Sequence, residues 1–537
     1  MRWAACSCFF PFGQFTLWQV VGSGLFLARM RIVHFIFGDQ LMTTHPLLEG
    51  HDPRHHRVAM AEVLGEARHP LMHKKKLVLF FSAMRHFHGT LKEMGVDCSY
   101  VRITDPNGPS SFSQRLSQLH DEERFERLVI MRPGDVRVRA EFEEWAALHG
   151  IHLEMVEDPH FLSTPEEFSS FAAERKSVLL EHFYRRLRKK HNILMDGDQP
   201  FGGQWNFDHD NRKSFGKAGP PLMAPPRAFA PDDLTLQVMA DVDRIFGDHP
   251  GKIDGFDYPV TQADAQLALN DFLNHRLMDY GTYQDAMAMG HAYLFHARIS
   301  AVMNLHLLDP RLCLTGALSK LQQGAPINAV EGFIRQVLGW REFVRGIYYH
   351  NMPEYLQANE LDAHEEVPAG LWGGDTPMRC ISESMSHVLD HSYTHHIERL
   401  MVLGLYGMLY GVAPDKMHDW HMAMYADAID WVSAPNVIGM SQYADGGYLA
   451  SKPYCASGAY IDRMSDYCKN CGFNPKQATG VDACPMTTLY WDFLQKHEEK
   501  LKPNNRMGMQ LKNLSRKSDE ERQAIATQAN DWRATGC

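Results

Sequence analysis

Along the first third of the chain, apolar residues gather into short runs set apart by stretches of helical spacing. Residues 31–37 form one such run and end at once in Gly38, Asp39 and Gln40, the pattern of a buried strand opening into a ligand-facing loop. Runs at 57–60, 77–81, 98–103, 128–131 and 151–156 predict further strands, and helical patterns around 90–94 and 141–148 separate several of them. Strands alternating with helices predict a doubly wound parallel sheet, hence an N-terminal α/β domain over 30–165. A connector follows over 166–261, and its proline-rich stretch PPLMAPPRAFAPDD marks a boundary. Beyond it, Ile327, Val330, Ile334, Val337 and Leu338 recur at helical spacing, and no later stretch alternates convincingly as a sheet. The pattern predicts a mostly α-helical C-terminal domain over 262–520 and a tail at 521–537.

Composition changes this picture little. A chain of 537 residues is too long for one ordinary core. Ten cysteines are far from a disulfide scaffold and fit a reducing, cytoplasmic setting. The formal net charge of -11 argues against a non-specific nucleic-acid coat and leaves room for a local basic groove. The basic run EHFYRRLRKKH at 181–191 suits either phosphates or a solvated helix face. Residues 1–29 carry no charge between Arg2 and Arg29, but Pro11, Gln14 and Gln19 make them a poor membrane span. They read as an upstream extension or disordered tail; no membrane partner is expected, and a monomer is.

Two groups of residues carry chemistry. Cys468 and Cys471 form a C-x2-C pair, with Cys484 following and Cys380 far upstream. Four soft thiolates suit a structural metal or an iron–sulfur cluster, although the pair alone also serves zinc sites and redox dithiols. His395 and His396 stand side by side; such a pair is structural in many proteins, and His391 with His395 has the spacing of half a metal site. A GxGxxG loop is absent after the first strand, which argues against a dinucleotide site there.

Taken together, FGDQL near the start, GGQWNFDHDNR at 202–212, WREF at 340–343, HSYTHHIERL at 391–400 and PNVIGMSQYADGG at 435–447 resemble, in order, the iron–sulfur bacterial branch of the photolyase and cryptochrome family. The resemblance covers residues 30 to about 520. It implies light-driven repair of (6-4) photoproducts in UV-damaged DNA, single- or double-stranded, with blue-light signalling as the alternative activity. Cys380, Cys468, Cys471 and Cys484 match the ligands of a [4Fe-4S] cluster there, expected to cross-link distant segments. FAD would lie in the helical domain, with Tyr280, Tyr283, Arg298 and Ser300 near its phosphate arm and Asp430 and Asn436 near its ring. Val432 departs from the wider family's D-x-D pattern. Arg341 and Arg345 match scaffold or cofactor-side groups.

The resemblance also makes His396 the lesion-side proton donor with His395 beside it, and Trp372 and Trp420 the steps of an electron route. Tyr454 and Tyr460 fall near the lesion pocket. In the α/β domain it implies an antenna pigment, 6,7-dimethyl-8-ribityllumazine, walled by Gly38, Asp39, Gln40 and Glu66, with Glu62 as the alternative acid. An acidic chain needs a local positive rim, for which Lys500, Lys502, Arg506, Lys512, Arg516 and Lys517 are candidates. A non-photochemical iron–sulfur protein that binds nucleic acid would explain the cysteines but leave the flavin segments without a role.

Overall fold

The computed structural model describes residues 31–536 apart from 174, 176 and 177, so the segment at 1–29 lies outside the described residues. Strands β1 (Ile32–Phe35), β2 (His56–Ala61), β3 (Cys98–Val101), β4 (Arg127–Met131) and β5 (His152–Val156) form one parallel sheet in the order β3-β2-β1-β4-β5. The chain leaves β1 toward β2 on one side and later returns to β4 on the other. That reversal opens a crevice beyond the C-terminal ends of β1 and β4, where the Gly38–Gln40 loop lies.

The run at 77–81 is not a strand. It is the middle of helix α1 (Lys74–Glu93), which the His73 side chain caps by accepting the Lys75 amide. A short, wholly apolar run has no period to separate strand from helix. Here it is apolar on several faces because α1 is wedged between the sheet and the helical half, burying Leu77, Val78, Leu79 and Phe81. Helices α2 (Phe112–Glu122) and α3 (Val136–His149) cover the other face of the sheet around Phe35, Phe37, Phe112 and Phe142.

The connector packs against the rest. Helix α4 (Leu180–His191) carries the basic run, but Arg188 is buried and donates to the carbonyls of Ile193 (3.2 Å) and Trp205 (2.8 Å). Arg185 pairs with Glu181 and Lys190 with Glu167. Much of the run is therefore spent inside the fold, anchoring the Trp205 loop. After α4 a small hairpin joins Met195–Asp196 to Gln199–Pro200.

The helical half includes α5 (Arg379–His391), α6 (Pro414–Met424), α7 (Pro485–Lys496) and α8 (Asp519–Thr535). The residues set apart as a tail lie almost wholly in α8, which starts in a Ser518/Glu521 capping box and sends Arg533 to Asp492 of α7 at 2.8 Å. Three helices widen into π turns, at Arg335–Trp340, Arg399–Gly404 and Pro435–Ser441. Among the described residues, no helix is long and apolar enough to cross a membrane.

One apolar cluster runs without a break from Ile36 and Met60 of the sheet through α1 to Ile334 and Leu338. Polar ties cross it as well. Lys75 Nζ donates to the carbonyls of Gly255 (3.1 Å) and Asp390 (2.5 Å), and Lys76 Nζ to those of Met422 (2.7 Å) and Ala428 (2.8 Å). Burial pushes the Lys76 ammonium down to about 7. The unfolded chain keeps that proton up to about pH 10.4, whereas the folded chain holds it only below about 7. Stability from this group is thus fully present above the unfolded value and is lost as pH falls toward 7. Lys76→Met should flatten the rise of unfolding free energy between pH 7 and 10 by up to about 1.4 kcal/mol per pH unit, read from denaturant titrations at each pH; an unchanged slope would show that Lys76 stays charged.

Candidate active site and cysteine cavity

His395 and His396 open the helix that follows the turn after α5, and they point apart. His395 is fully buried, stacks on His296 at 4.6 Å, and has no hydrogen-bond partner on either ring nitrogen. His396 is half exposed, and its Nδ1 lies 3.1 Å from Nε2 of His296. His296 Nδ1 donates to the Tyr293 carbonyl at 3.1 Å, so its Nε2 is an acceptor and the Nδ1 of His396 carries the shared hydrogen. Burial, aided by the neighbouring His396, pushes His296 down to about 3 and keeps it neutral. The remaining nitrogen of His396, Nε2, faces Asp285 at 3.6 Å. His396 is therefore held in one tautomer, its free nitrogen beside the Asp285 carboxylate. Tyr454 and Tyr460 are close enough to Asp285 and Arg212 to feel their charge, which brings the 202–212 segment to the same rim.

Behind the histidines lies a second, half-buried pair that the sequence does not single out. Arg399 Nη1 donates to Asp427 at 3.0 Å and its guanidinium lies 3.8 Å over the Tyr425 ring. Burial alone would raise the Asp427 carboxyl, but Arg399 and the Ser300 hydroxyl hold it below the usual range. Arg399 lies inside HSYTHHIERL, three residues after His396, and that position is the one sequence signal that marks it. Asp430, expected near the flavin ring, instead accepts from the Tyr348 hydroxyl and lies 3.2 Å from His418. It faces the α/β domain, where it helps burial raise Asp135 to about 6. Asp427, three residues earlier, is the acid on the histidine side. Asn436 spends its side-chain amide on the Val432 carbonyl at 2.7 Å.

Arg298 is paired with Asp257 and sandwiched between Tyr258 (4.2 Å) and Tyr293 (4.7 Å). Its charge is matched within the protein, which leaves it little to give a diphosphate. Tyr280 is buried edge-on to His296, and Tyr283 stacks between Phe215 and Phe295. Arg341 and Arg345 belong to the scaffold: Arg341 binds His160 Nδ1 at 2.7 Å, Arg345 the Ser163 carbonyl at 3.0 Å, and Glu342 gathers Leu162 and Ser163.

Trp420 is completely buried, and its indole N–H donates to the Leu371 carbonyl at 2.6 Å. The next residue, Trp372, is 45% exposed. The two rings thus mark an inner and an outer position on neighbouring segments.

Cys380, Cys468, Cys471 and Cys484 line one cavity whose other walls include Met378 and Phe473. Burial, and then the other three cysteines, push the Cys380 thiol well up; burial takes Cys468 to about 12. A Cβ on Gly458 would come within 2.8 Å of Cys484 Sγ, so this position must stay small. Glu398, fully buried, ties the cavity to the histidines. It accepts from His387 of α5 at 3.1 Å and from the Tyr467 hydroxyl at 2.5 Å, one residue before Cys468, and lies 3.9 Å from His395.

In the α/β half, Asp39 meets Gly134, where any Cβ would also strike Trp431; Trp431 N–H donates to the Gly134 carbonyl at 3.0 Å. Burial raises Asp39 to about 6. Gln40 donates to the Arg132 carbonyl at 3.1 Å, while its Oε1 is buried without a partner. Glu66 joins this crevice through Arg137, which also binds Asp135. Glu62 does not: both its oxygens are taken by Arg85, the Tyr100 hydroxyl and the Ile103 amide. On the proposed rim, Lys502 pairs with Glu499, Arg506 donates to Ser451, and Lys517 lies over Trp491.

Removing Glu398 would strand the buried His387 and Tyr467 hydroxyl. Glu398→Ala should lower unfolding free energy by about 3–5 kcal/mol, measured by denaturant unfolding, and an unshifted midpoint would mean that Glu398 holds nothing in place.

Residues 34–258 match the family model of deoxyribodipyrimidine photo-lyase-related proteins. A (6-4) photolyase of Agrobacterium fabrum is 42% identical over 496 residues, covering 92% of this chain and 97% of the relative. A short mimivirus protein, R853 of Acanthamoeba polyphaga mimivirus, is 38% identical over 111 residues, 20% of this chain and 84% of its own. The crystal structure of a bacterial class III photolyase from Agrobacterium tumefaciens superposes with a TM-score of 0.56 at 16% identity, over 90% of this chain and all of the other, and supports the same fold. Similarity at this identity across nearly the whole length of both chains places the protein in the (6-4) photolyase family.

Proposed function

We propose that the protein repairs (6-4) pyrimidine–pyrimidone photoproducts in DNA, driven by light, with FAD as its cofactor. The observation that carries the reading is the His296–His396–Asp285 arrangement: a half-exposed imidazole held in one tautomer, its free nitrogen beside a carboxylate. Splitting this lesion needs an electron and a proton at the group moved back between the bases. Reduced FAD, when bound, supplies the electron that light releases. Protonated on both ring nitrogens, His396 gives the Nε2 proton to the transferred group and later recovers it; Asp285 pairs with the charged ring before the first event and after the second. Tyr454, Tyr460 and Arg212 would face the extruded dinucleotide, whose weakened stacking lowers the cost of flipping it out.

The fit of a flavin rests on orphaned polar atoms. Both ring nitrogens of His395, the Tyr293 hydroxyl and Gln284 Oε1 are buried without partners around the His296 wall. A polar ligand seated there would satisfy them. The half-buried Arg399–Asp427 pair, Tyr280 and Ser300 complete the wall.

The four cysteines suit a [4Fe-4S] cluster, since their thiols share one cavity and four soft ligands answer four irons. Its role in this reading is structural: it ties α5, the 468–471 turn and the start of α7 together. The crevice at Gly38–Gln40, with Asp39 and Glu66 in its walls, is the place for the lumazine antenna, which would collect light without entering the chemistry.

Light-dependent loss of a synthetic (6-4) lesion tests the reading, with flavin reduced beforehand. His396→Ala should keep its flavin and lose repair by at least about 100-fold; retained repair would remove His396 from the chemistry. Trp420→Phe should slow photoreduction of oxidised flavin while leaving repair by pre-reduced enzyme unchanged. Equal photoreduction rates would take Trp420 and Trp372 out of the electron route.

A further inference from the structure

A second histidine cluster lies far from these sites, at the N-terminal edge of the sheet. His34 on β1, His56 at the start of β2 and His51 in the turn between them each bring one ring nitrogen within 4.8 Å of the other two. Their ring centroids are 4.8 Å (His34 to His56), 5.8 Å (His51 to His56) and 6.5 Å (His34 to His51) apart.

His34 is buried and its Nδ1 donates to the Leu47 carbonyl at 2.7 Å, which leaves Nε2 as a bare lone pair. A backbone carbonyl on one ring nitrogen is the usual way a ligating histidine is oriented and its tautomer fixed. Both nitrogens of His51 are shielded from solvent, yet neither has a hydrogen-bond partner. A shielded imidazole without partners calls for an occupant that the protein itself does not supply. Burial also pushes His34 to about 4 and lowers His51, so both rings are neutral and free to donate lone pairs. His56 is the adaptable member. Its Nδ1 accepts the Asp52 amide in a long bond of 3.2 Å, so ligation through Nε2 would move the ring proton to Nδ1 and release that amide. The Asp52 carboxylate is already taken by Arg54 and His55.

We propose that His34, His51 and His56 form a three-histidine site for a divalent transition ion, zinc above all, with water in the fourth position. Three neutral imidazoles without a carboxylate match zinc, copper or nickel and not magnesium or calcium. Bound there, the ion fastens the turn at 49–55 to the edge of β1 and β2. The site is separate from the cysteine cavity and from the His396 pocket, and repair does not depend on it.

The test uses full-length, tag-free protein with its cofactors loaded, so that the cysteines are engaged. Equilibrium dialysis against zinc chloride, followed by metal analysis, is run on wild type, His51→Gln, His56→Gln and His396→Ala. Wild type and His396→Ala should retain one more zinc per chain than the other two, whose binding should be weaker by roughly tenfold or more. Zinc should raise the melting temperature of wild type and not of His51→Gln, while the latter keeps wild-type repair. Equal uptake in all four proteins, no uptake in any, or a zinc lost only in His396→Ala would each overturn the proposal.

Discussion

The meeting of two lysines with the ends of two helices decides where everything else stands. Lys75 and Lys76 leave the first turn of α1, cross the interface and donate to carbonyls at or just past the C-termini of α5 and α6. The carbonyls of Asp390 and Met422 lie in the last turn of their helices and have no partner within them, so the lysine N–H groups supply the missing donors. Helix α5 leads directly into the His395–His396 turn, and α6 carries Trp420. The α/β half thus caps the helices that set the positions of His396 and Trp420. His73 adds to the same joint by bonding the Leu389 carbonyl at 3.0 Å. The apolar cluster around the joint keeps water from competing for those carbonyls.

Glu398 does for the far side what the lysines do for the near one. A single buried carboxylate holds the helix that carries Cys380 and the turn that opens at Tyr467 and carries Cys468, and it stands beside His395. Loss of order in the cysteine lobe would therefore reach the histidines through one side chain. The cysteine cavity thus has a mechanical route to the histidine pair.

Much of the molecule was legible in the sequence, and the failures are specific. The βα alternation was read correctly wherever strands were short and flanked by polar turns, but 77–81 misled because a helix buried between two layers shows no polar face. The four cysteines were read as one group, and they line one cavity. On the flavin side, Asp430 and Arg298 have the chemical type that the resemblance calls for, and each is engaged by a partner distant in sequence. Asp257 could not be matched to Arg298, nor His418 to Asp430, without the fold. Glu62 is similar, a carboxylate in a promising loop whose hydrogen bonds are all claimed from within. Residues such as His296 and Asp285 were missed because their roles exist only relative to His396, which approaches them from about a hundred positions away.

The π turns carry a consequence of another kind. A π turn accommodates an extra residue, so the helix beyond it resumes about 100° out of step with the part before it. In the helix through Arg335–Trp340 this lets Glu331 and Arg335 face the 207–208 loop while Arg341, Glu342 and Arg345 still turn toward 157–163. One continuous rod serves two unrelated neighbours. Excising a single residue from such a turn would leave the rod unbroken and swing its second half away from its contacts. The length of this helix, more than the identity of many residues on it, therefore sets which neighbours its two halves meet.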